Sequence, residues 1–100
     1  MLKYNDNTSE LLCRALLGMK TAEECRSFLE DICTIQEIEA MAQRLDVARY
    51  LRQGMSYSRV NQLTGASTAT ICRVGKCVNY GSGGFKLAID RLEEAEADDR

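Results

Sequence analysis

Proline, tryptophan and histidine are all missing from this chain of 100 residues. Without histidine the commonest general base at neutral pH is gone, and the remaining acid–base groups are carboxylates, Lys, Tyr and Cys. None of them forms a recognisable pairing of nucleophile and base, so the chain is not expected to be an enzyme. The five cysteines, Cys13, Cys25, Cys33, Cys72 and Cys77, are odd in number and show no CxxC spacing. With no histidine to complete a set, they support neither a zinc site nor a disulfide framework. Reduced thiols serving as small apolar side chains are the simplest reading. No run reaches the roughly 18 apolar residues of a membrane span, and Met1 to Asp6 lack the charged and apolar regions of a signal peptide. A cytoplasmic location with no membrane partner is expected.

Strand-forming runs of Val, Ile, Thr and Tyr are also scarce, whereas Ala, Leu, Glu and Arg are plentiful. Such a composition favours an all-α fold. One hundred residues allow one core and hence a single helical domain over 1–100. Short helices in so small a domain gain from a second copy that covers their apolar faces.

Charge is unevenly spread. Residues 1–40 carry four bases against eight acids, a balance of −4, and residues 87–100 carry two against six, again −4. Between them, Arg44, Arg49, Arg52, Arg59, Arg73, Lys76 and Lys86 face only Asp46, giving seven minus one, or +6. The total of −2 hides a basic centre that suits a phosphate backbone; an ordinary solvated helix face would give the same count.

About six helices follow from periodicity and punctuation. The first covers about 9–19, with Leu11, Leu12, Ala15, Leu16 and Met19 on one side. Thr21 with Glu24, and Thr34 with Glu37, are capping boxes that open a helix over about 22–31 and a long central one. The central helix has a stripe of Ile35, Ile38, Met41, Ala42, Leu45, Ala48 and Leu51, and Gly54 is placed to end it in a left-handed cap. Ser56 caps a short segment from Tyr57 to Thr64, Gly65 closes it, and Ser67 opens another helix with Ala69, Ile71, Val74 and Val78. Tyr80 to Gly84 break the pattern. A last helix over about 85–96 then runs into an acidic tail, about 93–100.

Residues of about 56–79 have the parts of a helix-turn-helix: a glycine for positive φ at the turn, apolar residues that lock two helices, and polar ones left outward on the second. Gly65 takes the turn, and Val60, Leu63, Ile71 and Val74 are spaced to pack between the helices. Asn61 departs from the small residue that the motif prefers there. A plain helical hairpin is the competing reading of this segment alone.

Flanking residues add to that reading. Arg44, then Leu51, Arg52, Gly54, Met55 and Ser56, then Gly65, Ala66, Ala69, Thr70, Ile71 and Arg73 resemble the Trp repressor in order and spacing, over about 34–76. More closely, the chain resembles the Trp-repressor-like proteins of the YerC/YecD group, which are regarded as candidate transcriptional regulators. The resemblance implies an intertwined homodimer that presents two reading heads to double-stranded DNA. It also implies a possible effector pocket at Thr34, Arg44, Thr70, Arg73, Val74 and Cys77. In the Trp repressor the positions matching Val74 and Cys77 are glycine and serine, so tryptophan is disfavoured here: a branched side chain lies where the ring would go, and a thiol replaces a hydroxyl. Either Val74 plugs the pocket and the heads are permanently set, or another small molecule takes tryptophan's place.

For DNA, Ser67, Thr68, Ala69 and Cys72 are expected at base edges, because the N-terminal end of the second helix enters the groove. Ser58, Arg59, Asn61, Arg73 and Lys76 are the expected phosphate contacts. The base-facing side chains are short, so specificity leans on thymine methyls, bridging water and DNA shape. The function expected is a sequence-specific repressor, acting as a dimer on a palindrome, with no cofactor beyond an effector other than tryptophan. A homodimeric protein-interaction module without DNA is the competing class, since a fold can be reused. A redox regulator through Cys72 and Cys77 is disfavoured, because one unbroken helix sets these residues on different sides.

Overall fold

The structure, a computed structural model, describes residues 6–98, with side chains from Thr8 onward. Residues 1–5, most of the segment read for export signals, and the last two residues of the acidic tail lie outside the described residues. Six helices follow in order: α1 (Asp6–Leu17), α2 (Ala22–Ile32), α3 (Ile35–Arg52), α4 (Tyr57–Thr64), α5 (Thr68–Tyr80) and α6 (Gly84–Asp98). Among the described residues there is no strand, and no helix is long and apolar enough to cross a membrane. Residues 93–98 of the acidic segment continue α6 as helix.

Two compact units divide after Ile38. In the first, the polar chemistry at each helix start sets the boundaries. Thr21 Oγ1 accepts the Glu24 N–H at 3.0 Å, and the Glu24 carboxylate reaches one residue beyond the cap, to the Lys20 N–H at 2.8 Å. At Thr34 the box is reciprocal: the Glu37 N–H donates to Thr34 Oγ1 at 3.1 Å, and the Thr34 N–H to Glu37 Oε1 at 2.8 Å. No described side chain of this unit is buried. An open groove of about 610 Å³ is lined chiefly by Leu11, Leu12 and Ala15 of α1 and Phe28 and Ile32 of α2.

The second unit holds the core: Val47 and Ala48 of α3, Val60 of α4, Ala66 of the turn, Ile71 and Val74 of α5, and Ile89 of α6. Only Ala48 of the expected α3 stripe is fully buried, while Ile35 and Met41 are exposed and Val47, outside the stripe, is wholly covered. The expected stripe runs across both units, whereas core residues surround only the C-terminal half of α3. A Schellman arrangement ends that helix. The Met55 N–H bonds the Tyr50 carbonyl at 3.2 Å, the Gly54 N–H bonds the Leu51 carbonyl at 3.0 Å, and Gly54 sits at φ 87°.

Gly75, buried within α5, shows how closely these helices approach. A Cβ there would stand 2.5 Å from the Tyr57 hydroxyl oxygen, but 3.5 Å from the ring carbon that bears it. Gly75→Ala is therefore expected to destabilise by about 1–3 kcal/mol through overpacking, less the ~1 kcal/mol by which alanine favours a helix. In a Tyr57→Phe background the clash is gone and the same substitution is expected to be neutral or stabilising. Urea denaturation of the four proteins checks this, and equal effects in both backgrounds would refute the contact.

An ion cluster ties α6 to the end of α3. Arg52 Nη1 donates to Asp90 Oδ1 at 2.8 Å and to the Lys86 carbonyl at 3.1 Å, and Lys86 Nζ lies 3.1 Å from Asp90 Oδ2. The hydrogen bond from Arg52, and next that from Lys86, hold the Asp90 carboxyl below its ordinary value. A depressed folded pKa stabilises above the unfolded value of about 3.9, and the contribution disappears as pH falls through the folded value. Asp90→Asn should thus melt below the wild type at neutral pH, and the gap should close in strong acid. A gap that persists at about pH 2 would contradict this linkage.

Candidate nucleic-acid interface

The candidate interface is built from α4, the turn and α5, all within the second unit. Ser56 caps α4, its Oγ accepting the Arg59 N–H at 3.1 Å. Gly65 closes α4 at φ 72°, with its N–H on the Asn61 carbonyl at 2.9 Å. This left-handed step is open to glycine at no steric cost. Ser67 then caps α5, accepting the Thr70 N–H at 3.2 Å, while its hydroxyl pairs with Thr70 Oγ1 at 3.1 Å. Cap chemistry at Ser56, Gly65 and Ser67 thus sets where each helix starts or stops.

Of the four residues expected between these helices, Val60, Ile71 and Val74 are buried, but Leu63 is 43% exposed. The glycine turn carries Ala66 into the core instead, at 1% exposure. Burial of Ile71, Val74 and Gly75 turns one face of α5 inward. Ser67, Thr68 and Ala69 at its N-terminal end, and Arg73 and Lys76 beyond, are exposed, and Cys72 is half-buried. Ser67, Thr68, Ala69 and Cys72 are the set expected at base edges, and among them the Ser67 hydroxyl is engaged in the α5 cap.

Ser58, Arg59 and Asn61 lie exposed on α4. Arg59 Nη1 donates to Gln62 Oε1 at 3.3 Å along the same helix, and Asn61 Nδ2 donates to the Ala66 carbonyl at 2.7 Å. One amide hydrogen of Asn61 is therefore committed to the turn. Among the cations of the basic centre, Arg49 lies 3.8 Å from Asp46, while Arg52 and Lys86 share Asp90. Arg44, Arg59, Arg73 and Lys76 form no ion pair among the described residues, so their charge is not offset by an internal acid.

The six residues of the possible effector pocket are placed differently from one another. Thr34 caps α3 in the first unit, Arg44 and Arg73 are exposed, and Thr70 is half-buried in the α5 cap. Val74 is 1% exposed and belongs to the core. Cys77 lines an open hollow of about 420 Å³ with Leu45, Gly81, Ser82, Phe85 and Ala88, which includes none of the other five. All five cysteines are free, as expected; Cys25, Cys33 and Cys72 are half-buried and Cys13 and Cys77 are exposed. No grouping of acids and thiols among the described residues is arranged to hold a metal.

Gln43 is absent from the sequence reading, and Ala66 enters it only through the family resemblance, yet both sit at the centre of this arrangement. Gln43 Nε2, on α3, donates to the Thr64 carbonyl at 3.2 Å. Nothing local marks it, because its role exists only once α3 lies beside the turn.

A short capped helix, a left-handed glycine turn and a second helix with one face buried and a polar N-terminal end define a helix-turn-helix protein. The chain belongs to the Trp repressor protein family, whose pattern matches residues 7–93. It is 49% identical over 96 residues to YerC of Bacillus subtilis (strain 168), named there as an uncharacterized protein, which covers 96% of this chain and 92% of that one. A TrpR-like protein from Eubacterium eligens has a solved structure that superposes with a TM-score of 0.84 at 42% identity, over 89% of this chain and 92% of that one. A candidate Trp repressor from Staphylococcus aureus gives a TM-score of 0.84 at 37% identity, over 89% of each chain. The six-helix architecture is that of these TrpR-like proteins.

Proposed function

We propose that this chain is a sequence-specific DNA-binding transcriptional repressor that acts as a homodimer on a near-palindromic operator without tryptophan. The observation that carries the reading is α5 itself: its back is buried, its N-terminal turn is exposed, and Arg73 and Lys76 stand free of acidic partners. Exposed small side chains at the tip of such a helix suit the major groove, and unpaired cations beside them suit phosphates. Membership of a DNA-binding family supports the same conclusion.

The first unit supports the dimer. It exposes Leu11 at 68%, Leu17 at 83% and Ile32 at 54%, an apolar face that water disfavours at about 25 cal/mol per Å². A second copy of the chain is the occupant proposed for it. Against tryptophan stands Val74, whose methyls are already part of the core; an indole seated there would have to displace them.

Salt-dependent mobility shifts on genomic fragments test the proposal against a protein-interaction dimer. The repressor reading expects complexes that form at low salt and weaken steeply as salt rises. No shift at any salt would contradict it. Thr68→Ala is expected to change which sequence is preferred, and a uniform loss on matched and scrambled sites would remove Thr68 from base recognition.

A further inference from the structure

We infer that Gln43 is a positioning residue for the reading head: from α3 its amide clamps the turn between α4 and α5, so that α5 holds one orientation with no ligand bound. The geometry of this clamp stands by itself, and its consequence for affinity rests on the DNA-binding function proposed above. Three side chains bond the backbone around the turn. Thr64 Oγ1 donates to the Val60 carbonyl at 2.8 Å and accepts the Ala66 N–H at 3.1 Å. Asn61 Nδ2 holds the Ala66 carbonyl at 2.7 Å. Gln43 Nε2 holds the Thr64 carbonyl at 3.2 Å.

Their roles differ by where each side chain is rooted. Thr64 and Asn61 belong to the head and would move with it, so they make the turn rigid without orienting it. Gln43 alone among these three reaches across from α3. It bonds the carbonyl of the last α4 residue, one of the acceptors that a helix end leaves without an intrahelical partner. Both residues are half-buried, where a carbonyl that loses its donor is not fully compensated by water. Val47, one turn further along α3, lies in the same core as Val60 and Ile71. The amide bond and this apolar contact together fix the head at two points along α3.

A head switched by a ligand needs a second arrangement with appreciable population, and apparent affinity falls with the fraction of heads in the competent one. The clamp disfavours that second arrangement. Gln43→Met keeps length and removes the donor, which tests this directly. Amide hydrogen exchange on the DNA-free protein should accelerate at residues 65–71 while the amides of Val47 and Ala48 keep their rates. With the variant fully folded, its Kd for a selected duplex should rise about five- to tenfold, the equivalent of one lost hydrogen bond. The salt slope should not change, because Gln43 is not placed at a phosphate. Wild-type affinity should be the same with and without added L-tryptophan.

Unchanged exchange at 65–71, or an unchanged Kd, overturns the inference. Equal acceleration at Val47 and Ala48 overturns it too, since Gln43 would then be a general stabiliser. Tenfold tighter binding with L-tryptophan would show a head that is not preset. If the wild type binds no duplex at low salt, the repressor reading fails, and the exchange pattern alone still decides whether Gln43 holds the turn.

Discussion

Replacing Ile71 by alanine is expected to lower stability by about 2–5 kcal/mol. Ile71 is 1% exposed and is one of the largest fully buried side chains, on the face of α5 that meets α3 and α4. Truncation removes three carbons from a packed site, which loses transfer free energy and leaves a cavity that rigid helices cannot fully close. A small domain has a total stability of about 5–15 kcal/mol, so the loss would unfold a substantial fraction at physiological temperature. Ile71→Val should cost only about 0.5–1.5 kcal/mol. Leu63→Ala, at a position already 43% exposed, should fall well short of the Ile71 effect. Urea denaturation of the three variants checks the order, and a Leu63→Ala loss equal to that of Ile71→Ala would contradict the packing described here.

The second large effect is on DNA rather than on folding. Arg73 and Lys76 are exposed and unpaired, so alanine at either should leave stability within about 0.5 kcal/mol. Each neutralised phosphate contributes about −0.9 to the slope of log K against log salt. A dimer carries every substitution twice, so Arg73→Ala is expected to make the slope shallower by about 1.8, and the double variant by about twice that. Matched and scrambled duplexes should weaken alike, because phosphate contacts hold position and do not read bases. Arg49→Ala is the control: its guanidinium lies 3.8 Å from Asp46, and its removal should alter the slope little. A slope unchanged in the Arg73→Ala, Lys76→Ala protein would take both residues off the phosphate backbone.

The capped helix boundaries were legible in the sequence because the chemistry that sets them is local, whereas α1, expected from apolar spacing over about 9–19, runs from Asp6 to Leu17. A Thr or Ser hydroxyl needs only the N–H groups of the next turn, and a left-handed glycine needs only its own backbone, so Thr21, Thr34, Ser56, Gly54, Gly65 and Ser67 could be read as punctuation. Most of the α4–α5 core could be read in the same way, from spacing about one glycine. What could not be read depends on which elements lie side by side. Val47 lies outside the apolar stripe of α3 yet is wholly buried in the core with residues of α4, α5 and α6, and Ala66, named only for its match to the family, is carried inward by the turn. Leu63 had the spacing of a core residue and lies at the rim.

The exposure of the candidate site was legible to a similar depth. Polar and basic positions on α5 followed from helical phase, and the structure leaves Thr68, Ala69, Arg73 and Lys76 on the surface. Asn61 looked like a weak point of the motif, whereas its amide bonds the Ala66 carbonyl and braces the turn. The effector pocket came from resemblance alone, and its residues span both units of the chain. Val74, which the resemblance alone assigns to that pocket, is a buried member of the core.

In the proposed function two α5 helices, one from each subunit, read DNA by their N-terminal turns. Selection of bound duplexes from a random pool, followed by sequencing, tests it most directly. Two heads related by a twofold axis should return inverted repeats whose halves are centred about one helical turn, roughly 10 base pairs, apart. A pool that stays random, or that converges on a sequence without inverted symmetry, would contradict it.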